Sequence, residues 1–526
     1  MKVLICDNLE KAGVAIFKGK GPVQADVCAA LSPAELKRKI ARYDGVIVRS
    51  ASKITAGVLE SAHRLKVIGR AGIGLDNVDI EAASRRGIVV MNTPGANAIT
   101  TAEHAISLLL SLSRHIPQAT ASLKMGKWEK KQFMGVEIFN QTIGIIGFGN
   151  IGQVVADRAQ GLKMQVIVYD PFLSQETMDK KGIEKVTLNQ LLKRSDYITI
   201  HTPITNDTKD LLNKQAFQKM KKGVRIINCA RGGIVNEKDL YTAIKQGKVA
   251  GAALDVFEHE PPGDHPLLSL GEVIATPHLG ASTSQAQARV AEVIATQVRD
   301  YLALGIIKNA VNVPSVSPER VEQVRPYLTL AEKMGSFQAQ AIGGSIKEVA
   351  IEYSGEIANY DLAPLTVSIL KGILEPALAD RVNYVNAPLL AKERGIKVSE
   401  SKTSDTEGFT SLITLKTKNK EGVHSVGGTL FGRGDPRIVR VDTFLTEAIP
   451  EGNILFMHNY DKPGVIGVIG KTLGSKKINI AKMHLSRQKR GGVAISLIHV
   501  DGPVSAAVLK KINKLPHIIS VKHIAL

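Results

Sequence analysis

Between positions 231 and 278 the chain carries a guanidinium (Arg231), a carboxylate (Glu260) and an imidazole (His278), each at or just beyond the end of a strand-like run. Histidine is the side chain whose ordinary pKa suits proton uptake near neutrality. A carboxylate on its other ring nitrogen would fix the tautomer and steady the cation formed. Arg231 is trailed by Gly232-Gly233, which lets the backbone bend toward a ligand, and a guanidinium there can hold a carboxylate and a neighbouring oxygen through paired N–H donors. A base, its supporting acid and an anion clamp together suit removal of a hydride and a proton from a hydroxyl-bearing carbon beside a carboxylate. Any one of 13 histidines is more often a surface or core ring than a base, so the trio needs a setting.

The setting is Gly147-Phe148-Gly149-Asn150-Ile151-Gly152, which follows the apolar run Ile143–Ile146 and enters the helical Gln153–Ala156. In that context Gly147 permits a tight turn, Gly149 lets backbone approach a pyrophosphate, and Gly152 allows the helix to pack on the strand. The helix N-terminus then faces the phosphates. Asp170 closes the next strand, 18 residues after Gly152, where a carboxylate would bind ribose hydroxyls and repel a 2′-phosphate. Pro171–Ser174 holds no basic residue, so NAD is expected rather than NADP.

These groups need sheets to hold them. From residue 1, strand-like runs Val3–Cys6, Gly45–Val48, Leu65–Ile68 and Ile88–Met91 alternate with helical segments, predicting a doubly wound parallel sheet. Thr100-Thr101-Ala102-Glu103 spells a capping box opening a long helix. A second alternation follows, with strands at Ile143–Ile146, Val166–Tyr169, Tyr197–His201, Val224–Asn228, Ala250–Val256 and Val273–Ala275. Ser282 is expected to cap a helix through Leu304 that returns to the first unit. The expected fold is therefore α/β with two Rossmann-like doubly wound units, residues 1–98 with 286–314 and residues 99–285. An α+β unit (315–450) and a ferredoxin-like βαββαβ unit (453–526) complete it. Arg433, Arg437 and Arg440 of the third unit could receive an anion, but solvated surface is the expected reading.

Composition excludes several classes. An apolar content of 44% with 22% charged residues is that of a folded chain. Three widely spaced cysteines without a C-x-x-C pair argue against a metal site and for a reducing, cytoplasmic location. The run Ala105–Leu112 falls short of a membrane span. Net charge is +19, and residues 453–526 hold 12 Lys/Arg against two acids. That tail lacks the aromatic interleaving that base stacking would use, so no nucleic-acid partner is expected.

Four motifs in order, the glycine turn, Asn228–Gly233, Asp255-Val256-Phe257-Glu258 and Thr276-Pro277-His278-Leu279-Gly280, resemble those of the D-isomer-specific 2-hydroxyacid dehydrogenases. The resemblance implies that Arg231, Glu260 and His278 are catalytic, and that Asn150, Ile151, Thr202, Cys229, Asp255 and Gly280 join the glycines around NAD in a cleft between two domains. The other wall is expected in the first unit. There Arg70, Gly72, Ile73 and Gly74 form a turn able to cradle a carboxylate, and Arg49, Ser50 and Asn97 could hold a second anion such as phosphate. Ala51 departs from relatives with further basic character after Arg49-Ser50, leaving Arg70, or Lys130 and Lys131 of a neighbouring subunit, to supply charge.

The two extra units make the chain similar to long members of that family. This implies oxidation of 3-phosphoglycerate at the start of serine synthesis, a C-terminal ACT domain, and serine as effector at Asn459, Asp461 and Asn479. The plainer alternative for Asp461 is a cap on the helix that Pro463 begins. A dimer or tetramer is expected. A hydroxypyruvate or glyoxylate reductase and an NAD-sensing binding protein are the rival readings.

Overall fold

The computed structural model describes residues 1–19, 21–179, 181–314, 321–432 and 434–526. Ser315, the expected start of the third unit, and Arg433 lie outside them. The first sheet contains β1 (Lys2–Ile5), β2 (Gln24–Val27), β3 (Gly45–Val48), β4 (Val67–Arg70) and β5 (Val89–Met91), all parallel, in the order β2-β1-β3-β4-β5. That is the flavodoxin-like winding. β4 runs two residues later than the apolar run suggests, so Arg70 is its last residue. β2 escapes sequence reading because its QADV segment lies at the sheet edge and no residue of it is buried.

The second sheet contains β6 (Thr142–Ile146), β7 (Gln165–Tyr169), β8 (Glu184–Lys185), β9 (Tyr197–Ile200), β10 (Val224–Asn228), β11 (Val249–Leu254) and β12 (Val273–Ala275), also all parallel. Its order, β12-β11-β10-β9-β6-β7-β8, reverses direction at β6. In open α/β sheets ligands bind beyond the strand ends at such a switch point. The two-residue β8 is too short to show in the sequence pattern.

Two long helices join the sheets. Ala98–Arg114 buries Ala102, Ala105, Leu109 and Leu112 against Ile143 and Ile145 of the second sheet. Ser284–Leu304 returns to the first sheet, where Ala291, Ile294, Ala295 and Val298 pack on Val3, Ile5, Ile47 and Val67. Neither begins as its spelling suggests. Asn97 occupies the N-cap of the first, leaving Thr100 and Thr101 inside the helix. Thr283, not Ser282, caps the second by accepting from Ala286 N at 3.2 Å. Thr100 Oγ1 meets Thr283 Oγ1 at 3.3 Å, so the two helix starts lie side by side.

The third sheet is mixed and six-stranded, with Glu348–Gly355 parallel to Lys397–Thr403 and otherwise antiparallel neighbours. Arg437 and Arg440 are not solvated surface. Arg440 pairs with Glu407 at 2.6 Å, and Arg437 lies over the Phe431 ring. The last unit has the expected βαββαβ order, in an antiparallel sheet Ile480–Arg487, Val493–Val500, Asn453–Tyr460, Ile518–Ala525. One face of that sheet is not free. Ile454, Phe456, Ile495, Leu497 and Ile524 share a core with Leu330, Met334 and Phe337 of the third unit, and Phe337 meets Phe456 edge to face at 5.5 Å. Truncating one such buried ring to alanine costs about 3–5 kcal/mol, so this shared core couples the stability of the two C-terminal units.

Candidate active site

The loop after β12 places His278. Its backbone lies in the left-handed region at φ +55°, held by hydrogen bonds from its N–H to Asp255 O and Thr276 O at 3.0 Å each. A non-glycine residue so held is a common mark of a functional site. Glu260 reaches His278 Nδ1 with Oε2 at 2.8 Å, while its Oε1 accepts from Phe257 N at 3.2 Å. Both side chains are partly open to solvent, at 50% and 39%.

Arg231 follows β10 in a turn that Asn228 organises, donating from Nδ2 to Arg231 O and accepting from Ala230 N. Its guanidinium donates to Ala230 O at 2.7 Å and lies 3.5 Å from Asp76 Oδ2. Gly232 has no alternative: a Cβ there would meet Phe257 O at 2.0 Å. The trio is therefore brought together, His278 and Arg231 lining one cavity of about 400 Å³ between the two sheets.

The glycine turn forms the far wall. Gly147 has φ +91°, and a Cβ at Gly152 would lie 2.1 Å from Gly147 O, so the helix Asn150–Gly161 starts hard against the strand. A Cβ at Gly149 would meet nothing, which leaves the backbone open to a ligand. Asn150, Ile151, Thr202, Cys229 and Gly280 line the same cavity. Two buried oxygens at this cavity, Thr202 Oγ1 and Asn97 Oδ1, have no partner among the described residues. Open backbone at a turn and unpartnered polar atoms fit a dinucleotide.

Asp170, buried at the end of β7, accepts from Phe148 N of the glycine turn and from Phe172 N, at 2.9 Å each. Asp255 anchors the opposite side. Burial works against its ionisation, but hydrogen bonds from His104, Thr276 and Leu279 N outweigh it and hold the carboxyl below its ordinary range. Its second oxygen accepts from Gly280 N at 2.8 Å. His104, Cys229 and Asp255 bring possible metal-ligating atoms within 4.8 Å of one another. The carboxylate is already committed to these donors, and burial pushes the Cys229 thiol up.

The first unit supplies the near wall. Arg49, Ser50, Arg70, Gly72 and Asn97 line a second, outer cavity of about 770 Å³ that also reaches Glu260 and His278, while Ile73 and Gly74 face the inner one. Desolvation, with the like charge of Arg231 second, pushes Arg70 down to about 10. Three cations around one cleft favour an anion.

Sequence reading missed the residues that hold these in place. Asp7 Oδ2 accepts from Arg49 N at 2.8 Å and from Ser52 N at 3.0 Å, and Asn77 Nδ2 donates to Arg49 O and Ser52 O at 2.7 Å each. Asp7 lies beside a strand and His104 on the cleft helix, neither belonging to a recognisable spelling, whereas Asp76 ends the glycine-rich turn that starts at Arg70.

The three effector candidates are not brought together within one chain. Asn459 is buried, accepting from Ser496 Oγ at 3.1 Å, and Asp461 accepts from Arg487 Nη1 and Gly491 N. Asn479 donates to Asp501 at the other end of the same sheet, where Ile480 and Asn453 both pair with Val500. Asp461 is not a helix cap either, because Gly464 takes that place.

Residues 106–280 match the model of the D-isomer specific 2-hydroxyacid dehydrogenase NAD binding domain, residues 323–442 the D-3-phosphoglycerate dehydrogenase intervening domain, and residues 453–517 the ACT domain. The chain is 44% identical to the D-3-phosphoglycerate dehydrogenase of Archaeoglobus fulgidus, covering 100% of both, and 41% identical to that of Bacillus subtilis, covering 100% of this chain and 99% of the other. Among solved structures, the D-lactate dehydrogenase from Aquifex aeolicus complexed with NAD and lactic acid is 27% identical with a TM-score of 0.53. It covers 60% of this chain and 100% of its own.

Proposed function

The chain belongs to the D-3-phosphoglycerate dehydrogenases within the D-isomer-specific 2-hydroxyacid dehydrogenase family and is an NAD-dependent oxidoreductase, and on that premise we propose that it oxidises 3-phospho-D-glycerate to 3-phosphohydroxypyruvate, the first step of serine synthesis. The observation that carries the reading is the 2.8 Å contact between His278 Nδ1 and Glu260 Oε2 in a cleft that also holds Arg231. Arg231 holds the substrate carboxylate and orients the C2 hydroxyl through its forked donors. His278 takes the hydroxyl proton at Nε2 as C2 loses hydride, and Glu260 stabilises the cation that results. When bound, NAD supplies the hydride acceptor. Gly147, Gly149, Gly152, Asn150 and Ile151 would hold its pyrophosphate end, Asp170 its ribose, and Thr202, Cys229, Asp255 and Gly280 the remainder.

The phosphate falls to Arg49, Ser50, Arg70 and Asn97, which line the outer cavity with His278. Absorbance of NADH with 3-phosphoglycerate and with unphosphorylated glycerate tests this. Equal kcat/KM for the two acids would instead favour a reductase of unphosphorylated acids, and negligible turnover of both an NAD-sensing role.

Serine is the proposed effector of the ACT domain. Because Asn459 and Asp461 lie at one end of its sheet and Asn479 at the other, a pocket using all three needs a second chain, which fits a homo-oligomer. Leu123, Met125, Trp128, Met134 and Phe139 are exposed along a segment that a second copy would cover. Light scattering of the full chain, with NADH formation measured with and without serine, tests both points. No helix among the described residues is long and apolar enough to cross a membrane. A cytoplasmic site of action is supported by three free thiols.

A further inference from the structure

We propose that Cys6 and Cys28 are a redox-modification site, a dithiol that a small-molecule disulfide converts to an internal disulfide acting on the substrate loop Arg49–Ser52. The kinetic effect rests on the reading of Arg49 and Ser50 given above, whereas formation of the bond does not.

β1 and β2 are parallel with Ile5 opposite Val27, so the next residues of each, Cys6 and Cys28, are neighbours across the strand ends. Cys28 N donates to Ile5 O at 2.8 Å, and the two sulfurs lie 3.5 Å apart. Paired Cα atoms on adjacent strands are about 4.8 Å apart. This falls within the roughly 4.4–6.8 Å that a disulfide spans, with sulfurs about 2.05 Å apart once bonded. Cys6 is wholly buried, and Cys28 is partly open to solvent.

That difference orders the chemistry. The Cys28 thiolate attacks one sulfur of the external disulfide, forming a mixed disulfide and releasing one thiol, which carries away the Cys28 proton. The Cys6 sulfur then attacks Cys28 Sγ, releasing the second thiol with the Cys6 proton. Two thiols of the protein are oxidised and one external disulfide is reduced to two thiols. Burial, with Cys28 beside it, pushes the Cys6 thiol up, which suits it to the second, intramolecular step rather than the first.

The pair sits directly behind the substrate loop. Asp7, next to Cys6, accepts from Arg49 N, Ser52 N and Ser52 Oγ, the last at 2.5 Å. On the other side Leu31 N, three residues past Cys28, donates to Ser52 Oγ at 3.2 Å. Asp7 and Asn8 both have left-handed backbones, φ +64° and +52°, so the segment has little slack to absorb a shift of Cys6. Drawing the sulfurs together by about 1.5 Å therefore moves the anchors of Arg49.

The full chain is incubated with oxidised glutathione, and peptides are mass-measured without reduction. The expected result is a Cys6–Cys28 cross-linked peptide pair lacking two hydrogens. KM for 3-phosphoglycerate should rise about tenfold, since displacing a binding group by about 1 Å can cost up to about a hundredfold. kcat should be little changed, and dithiothreitol should restore the original KM. Cys28→Ser and Cys28→Ala should lose both the cross-link and the KM response. A stable glutathione adduct on Cys28 without the cross-link overturns the proposal, as does a cross-linked chain whose KM is unaltered. A reduced enzyme that fails to turn over 3-phosphoglycerate would refute the functional reading instead, and the peptide masses would still decide the dithiol.

Discussion

The loops after β1 and after β6 occupy equivalent places, each at the end of a strand flanked on both sides within a parallel sheet, yet they do opposite things. After β6 the glycine turn leaves backbone open at Gly149 and starts a twelve-residue helix facing the cleft. After β1, Asp7 fills the corresponding space with a carboxylate that gathers Arg49 N, Ser52 N and Ser52 Oγ, and the following helix, Lys11–Ala15, is only five residues long. One loop is built to receive an anion on backbone N–H groups. The other spends its own anion on ordering a neighbouring loop, and on the proposed function the first unit meets the substrate with arginines. The lesson is that the winding supplies a place for binding, and the residues of one loop decide what is bound there.

The sharpest way to break this division of labour is at the residue between the two walls. His278→Gln should lower kcat by about 10²- to 10⁴-fold and leave NAD affinity unchanged in a fluorescence titration. Parallel loss of both would mean that the imidazole belongs to the cofactor wall.

Next in size is a paired test of the two loops. Gly152→Ala forces a Cβ to within 2.1 Å of Gly147 O. Overpacking of this kind costs about 1–3 kcal/mol, and NAD Kd should rise correspondingly with little change in KM for 3-phosphoglycerate. Asp7→Asn should do the reverse, raising KM several-fold while NAD Kd holds. If both variants moved both constants, the walls would be one cooperative unit.

A smaller effect is expected at Asp170. Asp170→Asn removes the charge that would repel a 2′-phosphate, and the preference for NAD over NADP should fall about tenfold. An unchanged ratio of kcat/KM for the two cofactors would place selectivity elsewhere.

A test on stability rather than on turnover ties pH to the glycine-turn wall. Burial pushes His201 down to about 3 from its ordinary 6.5, so the folded chain holds it neutral while the unfolded chain protonates it. Stability is therefore full above about pH 6.5 and declines as pH falls toward 3, by at most about 1.4 kcal/mol per pH unit. Thermal melts of His201→Gln should show a shallower decline than the parent over that range.

Much of the cofactor wall was legible because its signals are local. Three glycines within six residues, a strand before and a helix after describe a turn whose function follows from its own backbone. The near wall was less so. Arg49 and Arg70 could be picked out as charges at strand ends, but Asp7, which orients Arg49 from 42 positions away, carries no spelling that announces the role. The helix starts also differ from their spelling. Thr100 and Ser282 look like caps, whereas Asn97 and Thr283 hold those places and Thr100 meets Thr283 from 183 residues away. In the C-terminal half the order of elements could be read, but not that one face of the last sheet is buried against the third unit.

By itself the sequence determined the kinds of groups present, the alternation that winds two parallel sheets, and the turn at Gly147–Gly152, because each depends on residues within a few positions of one another. Only the tertiary structure decided which carboxylate orders Arg49 and that Cys6 faces Cys28. Those distances are set by how separate strands register in a packed sheet, and no short stretch of chain contains that information.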